Sequence, residues 1–200
     1  MHSVLVSILA TCAVAAANPL AITPRDEAPI PGYGVEIVSW KVPSSASGPA
    51  VILNGTIQEV YTQLLDINPS YEAEVGALAS RNEKVARALV KRGDVHCGGF
   101  PNGATFRFRE GISYLRGVGG NPTQGPGPGN CARVSCSWSA AIWWCNDNSF
   151  TKVLPGFYNI ADGAEQIVDV CNPGFLSQVA GQNFIGGARD WNVIVRGDNC

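Results

Sequence analysis

The residues with the clearest chemical potential in this 200-residue chain are its cysteines. There are seven, and all but Cys12 lie between residues 97 and 200. An even number of cysteines in a short segment is typical of a disulfide framework, and we expect three disulfides whose pairing the spacing leaves open. A metal site is the weaker alternative, because no C-x-x-C occurs, and we expect no metal and no cofactor. The paired residues are predicted to be Cys97, Cys131, Cys136, Cys145, Cys171 and Cys200.

Groups for acid–base catalysis are few. His96 is the one histidine in the cysteine-bearing half, and we expect it to lie exposed or at a strand edge rather than beside a nucleophile. Glu110, Glu165 and Asp169 are carboxylates that could hydrolyse a glycoside if two of them were ~5–9 Å apart. Glu165 and Asp169 are also spaced as neighbours on an ordinary solvated helix face. We expect no catalytic residue and no enzyme, with a carboxylate-dependent, glycosidase-like extracellular hydrolase as the alternative.

Tryptophans and amides are the candidate binding residues. Trp138, Trp143 and Trp144 fall in a predicted hairpin, and adjacent residues of a strand point to opposite faces. One of Trp143 and Trp144 should therefore enter the core, and the other should lie on the open sheet face, under a loop or in a partner. An exposed tryptophan would suit a sugar or a protein surface. The alternative for each tryptophan is that it simply packs under a loop. Asn121 and Gln124 form a second candidate surface, and the alternative there is that the 117–130 loop only connects two elements.

Six elements are expected to position these residues. A Gly- and Pro-rich loop over 117–130 separates the first helix from the hairpin. The resulting β-α-β-β-α-β order is typical of an α+β two-layer sandwich, a disulfide-stapled antiparallel sheet with two helices on one face. In chain order the elements are a strand at 95–98, a helix capped by Thr105, the two arms of a hairpin over 131–145, a helix capped by Asn159, and a strand over Trp191–Arg196.

The helical faces follow from spacing. Apolar residues recur three and four positions apart in both predicted helices, as they do on the buried side of an amphipathic helix. We therefore expect these residues to pack on the sheet. They are Phe108, Ile112 and Leu115 in the first helix, and Ile160, Ala164, Ile167 and Cys171 in the second.

The first 17 residues have the composition of a signal peptide. An apolar run ends at Ala15 and Ala17, small residues at the positions that a signal peptidase recognises, and we expect cleavage after Ala17. The alternative is a buried N-terminal helix. No other stretch reaches ~18 apolar residues, so we expect no membrane span.

Residues 18–92 have the character of a pro-segment. They contain no cysteine. They do contain a strand-like stretch at 35–42 and a strand running into a helix over 51–67. A second helical stretch is predicted from Tyr71 to Val90. This content exceeds that of a spacer, so we expect the pro-segment to assist folding or to mask the mature surface. Asn54 begins an Asn-Gly-Thr sequon and is a predicted glycosylation site.

A dibasic pair ends this segment. Lys91-Arg92 is the type of pair that kexin-type proteases cut during secretion, and it stands where the cysteine-bearing segment begins. The alternative is a helix C-terminus, where basic residues favour the helix dipole. We expect processing after Arg92, which leaves residues 93–200 as the mature domain.

The charge balance argues against nucleic-acid binding. Fourteen lysines and arginines face 16 aspartates and glutamates, for a formal net charge of −2. A nucleic-acid-binding domain usually carries a basic patch or stripe, and scattered bases do not provide one.

Five segments of the chain carry a recognisable pattern: NGTIQEVYTQLLDINPSYEAEV (54–75), GISYLRGVGG (111–120), GPGPGNCARVSCSWSAAIWWCNDN (125–148), IADGAEQIVDVC (160–171) and WNVIVRGDNC (191–200). These motifs resemble a family of small, cysteine-rich secreted fungal proteins. The family is largely uncharacterised and is similar, more distantly, to killer-toxin-like and necrosis-inducing effector α/β sandwiches. The resemblance implies a non-enzymatic toxin-like or effector-like protein that is secreted, extracellular and active by surface binding after pro-segment removal. Its expected partners are a cell-surface, cell-wall or host target, with signal peptidase and a kexin-type protease during export.

Overall fold

The computed structural model describes residues 27–76, 93–174, 177–186 and 190–200. The predicted processing residues Ala17, Lys91 and Arg92 lie outside these ranges, and their roles stay predictions. The helices are α1 (Ile57–Ile67), α2 (Thr105–Arg116) and α3 (Tyr158–Cys171), with a π-helical turn at Glu72–Gly76. The strands are β1 (Gly34–Val35), β2 (Ser39–Pro43), β3 (Ala50–Asn54), β4 (Asp94–Cys97), β5 (Gly103–Ala104), β6 (Thr123–Gln124), β7 (Asn130–Ser137), β8 (Ala140–Asn146), β9 (Lys152–Val153), β10 (Gln178–Val179), β11 (Gly181–Ile185) and β12 (Trp191–Gly197).

A six-stranded sheet forms the centre of the molecule, in the order β1-β7-β8-β12-β11-β4. Its neighbours are antiparallel except for β1, which pairs parallel with β7. Helix α3 packs on β4, β11 and β12, while α2 packs on β7 and β8, with α1 beside α2. The predicted α+β fold with helices packed on a sheet is therefore confirmed.

The burial of strand β8 shows that both faces of this sheet are covered. Its residues Ile142 and Trp144 belong to the core under the helices, whereas Trp143 and Cys145 belong to a smaller cluster on the opposite face. Every residue of β8 is buried, which is typical of a strand covered on both faces. The second face is therefore not open: partly buried Ile30, Tyr33 and Phe100 pack against it.

The predicted inner faces of the two helices are confirmed, but their caps are not. Ala104 and Phe157 occupy the N-cap positions, so Thr105 and Asn159 lie in the first turns instead. The Asn159 side chain still accepts a hydrogen bond from the Gly156 N–H, at 3.1 Å, ahead of the helix. The buried inward residues are Phe108, Ile112 and Leu115 of α2, and Ile160, Ala164 and Ile167 of α3.

Strand β11 has no counterpart among the predicted elements. It lies between β4 and β12, so the antiparallel sheet is wider than the β-α-β-β-α-β order implies. Its sequence, GQNFI, places a fully buried asparagine at an inward position. The Asn183 side-chain NH2 group donates hydrogen bonds there to the Gly163 carbonyl, at 3.1 Å, and to Gln166 Oε1, at 3.2 Å. A buried polar residue with tertiary partners hides the apolar alternation of the strand.

The six cysteines are joined in three disulfides, as predicted. Cys97–Cys171 ties β4 to the end of α3. Cys131–Cys145 joins directly opposed residues of β7 and β8. Cys136–Cys200 holds the last residue of the chain against β7.

Residues 27–76 are part of the same fold. Strands β2 and β3 form a hairpin, and β2 pairs with β6 to build a four-stranded sheet in the order β3-β2-β6-β9. The strand and helix expected around 35–42 and 51–67 are thus observed. The helical expectation beyond Tyr71 holds for a single π-helical turn, and its remainder lies outside the described residues.

No helix in the described part of the chain is long and apolar enough to cross a membrane. Within the same residues, no group of three or more histidine, cysteine or acidic residues has the arrangement of a metal site.

Candidate functional site

The turn between β7 and β8 has an unusual composition for its geometry. Trp138 and Ser139 have φ angles of 48° and 60°, and the flanking Ser137 and Ala140 are paired. Two consecutive positive φ values match the tight hairpin turn that usually contains Asn-Gly or Asp-Gly. The left-handed region costs a residue with a β-carbon about 1–2 kcal/mol. The sequence predicts Trp138 in the first arm of the hairpin, but the strand pairing ends at Ser137, and Trp138 lies in the turn.

Trp138 is the most exposed large apolar residue of the described chain, at 76 %. The Arg107 guanidinium lies 5.1 Å from the centre of its ring and 4.5 Å from the centre of the Phe106 ring. Phe106 is itself 56 % exposed. We call Phe106, Arg107 and Trp138 the aromatic row. Cation–π contacts of this kind contribute about 0.5–1 kcal/mol at exposed sites.

The row is positioned by the start of α2 and by the hairpin. Because Phe108 points into the core, Phe106, two residues earlier on the helix, falls on the opposite, outer side. The Arg107 side chain is held by an ion pair with Glu110, at 2.8 Å. Its guanidinium therefore stands between two aromatic rings with its orientation set.

The hairpin turn is held by contacts with the C-terminal residues. The Cys136–Cys200 disulfide lies two residues before Trp138, and the Asp198 N–H donates a hydrogen bond to the Ser139 carbonyl at 3.2 Å. These links tie the turn to the C-terminal segment. Trp138 is consequently displayed on a supported turn rather than on a free loop, as a pre-organised binding residue requires.

A groove of about 460 Å³ adjoins the row. It shares Phe106 with the row and lies between the start of α2 and the region that follows α3. Its wall combines an aromatic ring with hydroxyl, amide and guanidinium groups, a mixture typical of ligand sites. The lining residues are Ala104, Thr105, Phe106, Arg109, Asn172, Ser177 and Gln178.

Trp143 and Trp144 do not reach this surface. Both are fully buried, one on each face of the sheet, so the predicted division between two faces is confirmed. Trp144 lies in the core under the helices, and Trp143 lies under the loops of the other face. The Trp143 indole N–H donates a hydrogen bond to Asp198 Oδ2 at 2.8 Å. In this fold neither ring is available to a partner.

The two candidate amides of the 117–130 loop are engaged inside the protein. Gln124 is buried, and its side chain donates a hydrogen bond to the Asn130 carbonyl at 2.9 Å. Asn121 is exposed, yet its amide donates hydrogen bonds to the carbonyls of Leu154 and Pro155, at 3.1 and 2.8 Å. The loop thus works as a packed connector, and the structure does not bring these amides to the aromatic row.

The three candidate carboxylates are each paired with a different arginine of α2. Glu110 contacts Arg107, Glu165 contacts Arg116 at 2.7 Å, and Asp169 contacts Arg109 at 3.3 Å. One of these ion pairs lies within α2, and the other two join α2 to α3.

His96 lies on β4, at the edge of the sheet. It is exposed, and its Nε2 lies 3.3 Å from the Asp94 carboxylate.

Asn54 ends strand β3 and is exposed, which agrees with its prediction as a glycosylation site. Thr56, the hydroxyl residue of the sequon, is the N-cap residue of α1, and its backbone N–H donates a hydrogen bond to the Glu59 carboxylate at 2.6 Å. Glycosylation itself stays a prediction.

Sequence inspection alone did not single out Phe106 and Arg107. A signal was available, since an aromatic residue two positions from an inward Phe108 must lie on the outer face of an amphipathic helix. The proximity of Trp138 is a tertiary contact without such a signal.

Comparison with protein-family models, with curated proteins and with solved structures finds no match to this chain.

Proposed function

We propose that the chain is a secreted, non-enzymatic binding protein of the toxin-like or effector-like kind. It acts by attaching to a cell-surface, cell-wall or host target. The observation that carries this proposal is the exposed Trp138 in a left-handed turn, beside Arg107 and Phe106. Three disulfides agree with a protein that works in an oxidising extracellular environment.

The aromatic row has the properties of a recognition surface. Exposed aromatic and arginine side chains are the residue types most often responsible for binding energy at interfaces. Two flat rings with a cation between them can stack on a sugar or pack on a protein, and the adjoining groove supplies hydrogen-bonding groups. The fold holds the row in place, so little conformational entropy is lost when a target binds.

The proposal is tested by retention of the purified protein on insoluble cell-wall polysaccharides and on intact cells. We expect the wild type to be retained, and Trp138→Ala and Phe106→Ala each to weaken retention about tenfold or more. Phe150→Ala is the matched control, because Phe150 is 60 % exposed but lies beyond the far end of β8. The proposal fails if the wild type binds neither material, or if Trp138→Ala and Phe150→Ala behave alike.

The carboxylate-dependent hydrolase remains the alternative. Its candidate groups are engaged in ion pairs with arginines, and two of those pairs bridge α2 and α3. That arrangement offers the hydrolase no specific support, so the binding protein is the function we carry forward.

A further inference from the structure

Residues 27–76, which the sequence marks as a pro-segment, are built into the core of the rest of the chain. We infer that they form a permanent non-covalent subunit: a cut between residues 77 and 92 yields a two-chain protein and does not release the segment. This inference concerns the form of the protein that acts, and it holds whether or not the aromatic row binds a target.

Apolar packing is the first support. Strand β2 and helix α1 contribute side chains with no solvent exposure to the same core cluster as α2, α3 and the central sheet. The Trp40 ring stacks on Phe157, with ring centres 4.4 Å apart. Release of the segment would expose both sides of this contact to water, which the hydrophobic effect opposes. The segment's fully buried residues in this cluster are Trp40, Val42, Ile57, Val60, Leu64 and Tyr71.

Backbone pairing is the second support. Strand β1 adds to the edge of the central sheet, where the Gly34 N–H donates to the Gly129 carbonyl at 2.7 Å. The Glu36 N–H donates to the Cys131 carbonyl at 2.8 Å. The segment therefore completes the edge of the sheet, and its removal would leave the backbone groups of β7 without these partners.

Partly buried polar contacts fix the register of the two parts. One carboxylate oxygen of Glu36 accepts hydrogen bonds from the Gly125 N–H, at 3.0 Å, and from the Asn130 amide, at 2.8 Å. The Gln58 amide donates to Ser135 Oγ at 2.7 Å.

The close approach at Gly120 has the same implication. Gly120 has a φ of +104°, and a β-carbon there would lie 2.3 Å from the Lys41 carbonyl oxygen. The 117–130 loop is thus shaped to fit strand β2.

No disulfide joins the two parts, because all six paired cysteines lie beyond residue 92. After a cut, only the packing and the hydrogen bonds would hold the segment. Phe106 and Trp138 of the aromatic row are exposed with the segment in place, so the two-chain protein presents these two rings as the intact chain does.

The test uses the full chain with a site-specific protease sequence inserted between residues 84 and 85. This insertion makes the cut independent of whether a kexin-type protease recognises Lys91-Arg92. The native mass is measured by light scattering during gel filtration at about 1 µM, before and after complete cutting. We expect the mass to be unchanged and the two fragments to separate only under denaturing conditions. Separation in native buffer at that concentration overturns the inference.

Variants connect the result to the interface. Trp40→Ala should weaken the association of the cut fragments at least about a hundredfold, since it removes a large buried side chain. Ile52→Ala is the control, because Ile52 belongs to the same hairpin but is exposed. If Trp40→Ala does not fold, Gln58→Ala takes its place and should accelerate exchange of the labelled segment. Equal association in the buried variant and the control would also overturn the inference. None of these readouts requires a target, so a failed binding assay leaves their outcome intact.

Discussion

Trp138 occupies a position where its backbone and its side chain are both at a disadvantage. The left-handed φ costs about 1–2 kcal/mol, and an exposed ring recovers little of this by burial. Glycine or asparagine would meet the same turn more easily. An observed backbone outlier of this kind supports a functional hypothesis, because selection for folding alone would not favour it. The exposed tryptophan, and not the two buried ones, is therefore the residue on which the proposed binding depends.

Tyr33 gives a prediction about alkaline stability. Burial, and then the hydrogen bond that its hydroxyl donates to Asp147 at 2.9 Å, raise the pKa of Tyr33 to about 12 from a usual value of 10.0. The folded state therefore favours the neutral phenol. The stabilisation is complete below pH 10 and is lost as the pH rises from 10 towards 12, because the unfolded chain releases the proton first.

The measurement is the urea midpoint of unfolding at pH 9 and at pH 11 for the wild type and Tyr33→Phe. We expect the midpoint of the wild type to fall more, since phenylalanine cannot ionise. Burial raises the pKa of Tyr71 to about 12 as well, so the variant should still lose part of its stability. An equal fall in the two proteins would contradict the role of Tyr33.

For single residues, the sequence predicts the chemical role of a side chain better than it predicts whether that side chain is buried or exposed. The residue types and their even number predict that the six cysteines form three disulfides, though not which cysteines pair, and strand geometry predicts the opposite faces of Trp143 and Trp144. The exposure of Trp138 depends on which residue ends the pairing of β7, and a Trp-Ser turn has no recognisable turn signature. The glycines and prolines around Asn121 and Gln124 favour their display to solvent, yet both side chains donate hydrogen bonds to backbone carbonyls of the protein, Asn121 to distant Leu154 and Gln124 to nearby Asn130.

Helices α2 and α3 are joined by ion pairs of two kinds. Arg116 is largely buried, with side-chain exposure of 11 %, and lies 2.8 Å from Asp162 and 2.7 Å from Glu165. Arg109 pairs with Asp169 across the same two helices, but its side chain is 51 % exposed. The buried pair should matter far more, since removing one partner leaves a desolvated charge, whereas exposed pairs are screened by water.

Replacement of each arginine separates these contributions. We expect Arg116→Met to lower the free energy of unfolding by about 3 kcal/mol, because Asp162 stays buried and loses this guanidinium. Arg109→Gln should change it by less than about 1 kcal/mol. Urea denaturation at pH 7 measures both. Similar losses in the two variants would show that burial does not distinguish the pairs.

The sequence predicts a helix or strand well when local residue spacing determines it, and poorly when contacts with distant residues do. The faces of α2 and α3 follow from the spacing of apolar residues and are correct. Strand β11 depends on the tertiary partners of Asn183, and β1, β6 and β9 are two-residue strands that exist because a neighbour pairs with them. Local periodicity cannot reveal such strands.

The molecule as a whole combines parts that the sequence separates. Composition, cysteine distribution and a dibasic pair mark a boundary near residue 92, which stays a prediction about processing. The hydrophobic core extends across that boundary. One core cluster contains Trp40 and Val60, which precede residue 92, together with Phe157 and Val193, which follow it. No local pattern predicts a contact between residues so distant in the chain.

A shared core implies that residues 27–76 and 93–200 unfold together. Trp40→Ala tests this, since it removes a fully buried ring and should cost about 3–5 kcal/mol. In a single cooperative unit the loss reaches every amide that exchanges through global unfolding, including those of Val193 and Val195 in the centre of the sheet. Hydrogen exchange followed by mass spectrometry of the intact chain would then show equal losses of protection in β2 and in β12. Ile52→Ala, at an exposed position of β3, should change neither by more than about 0.5 kcal/mol. Loss of protection confined to residues 39–54 in Trp40→Ala would mean that residues 27–76 form a separate unit that packs on an independently stable domain.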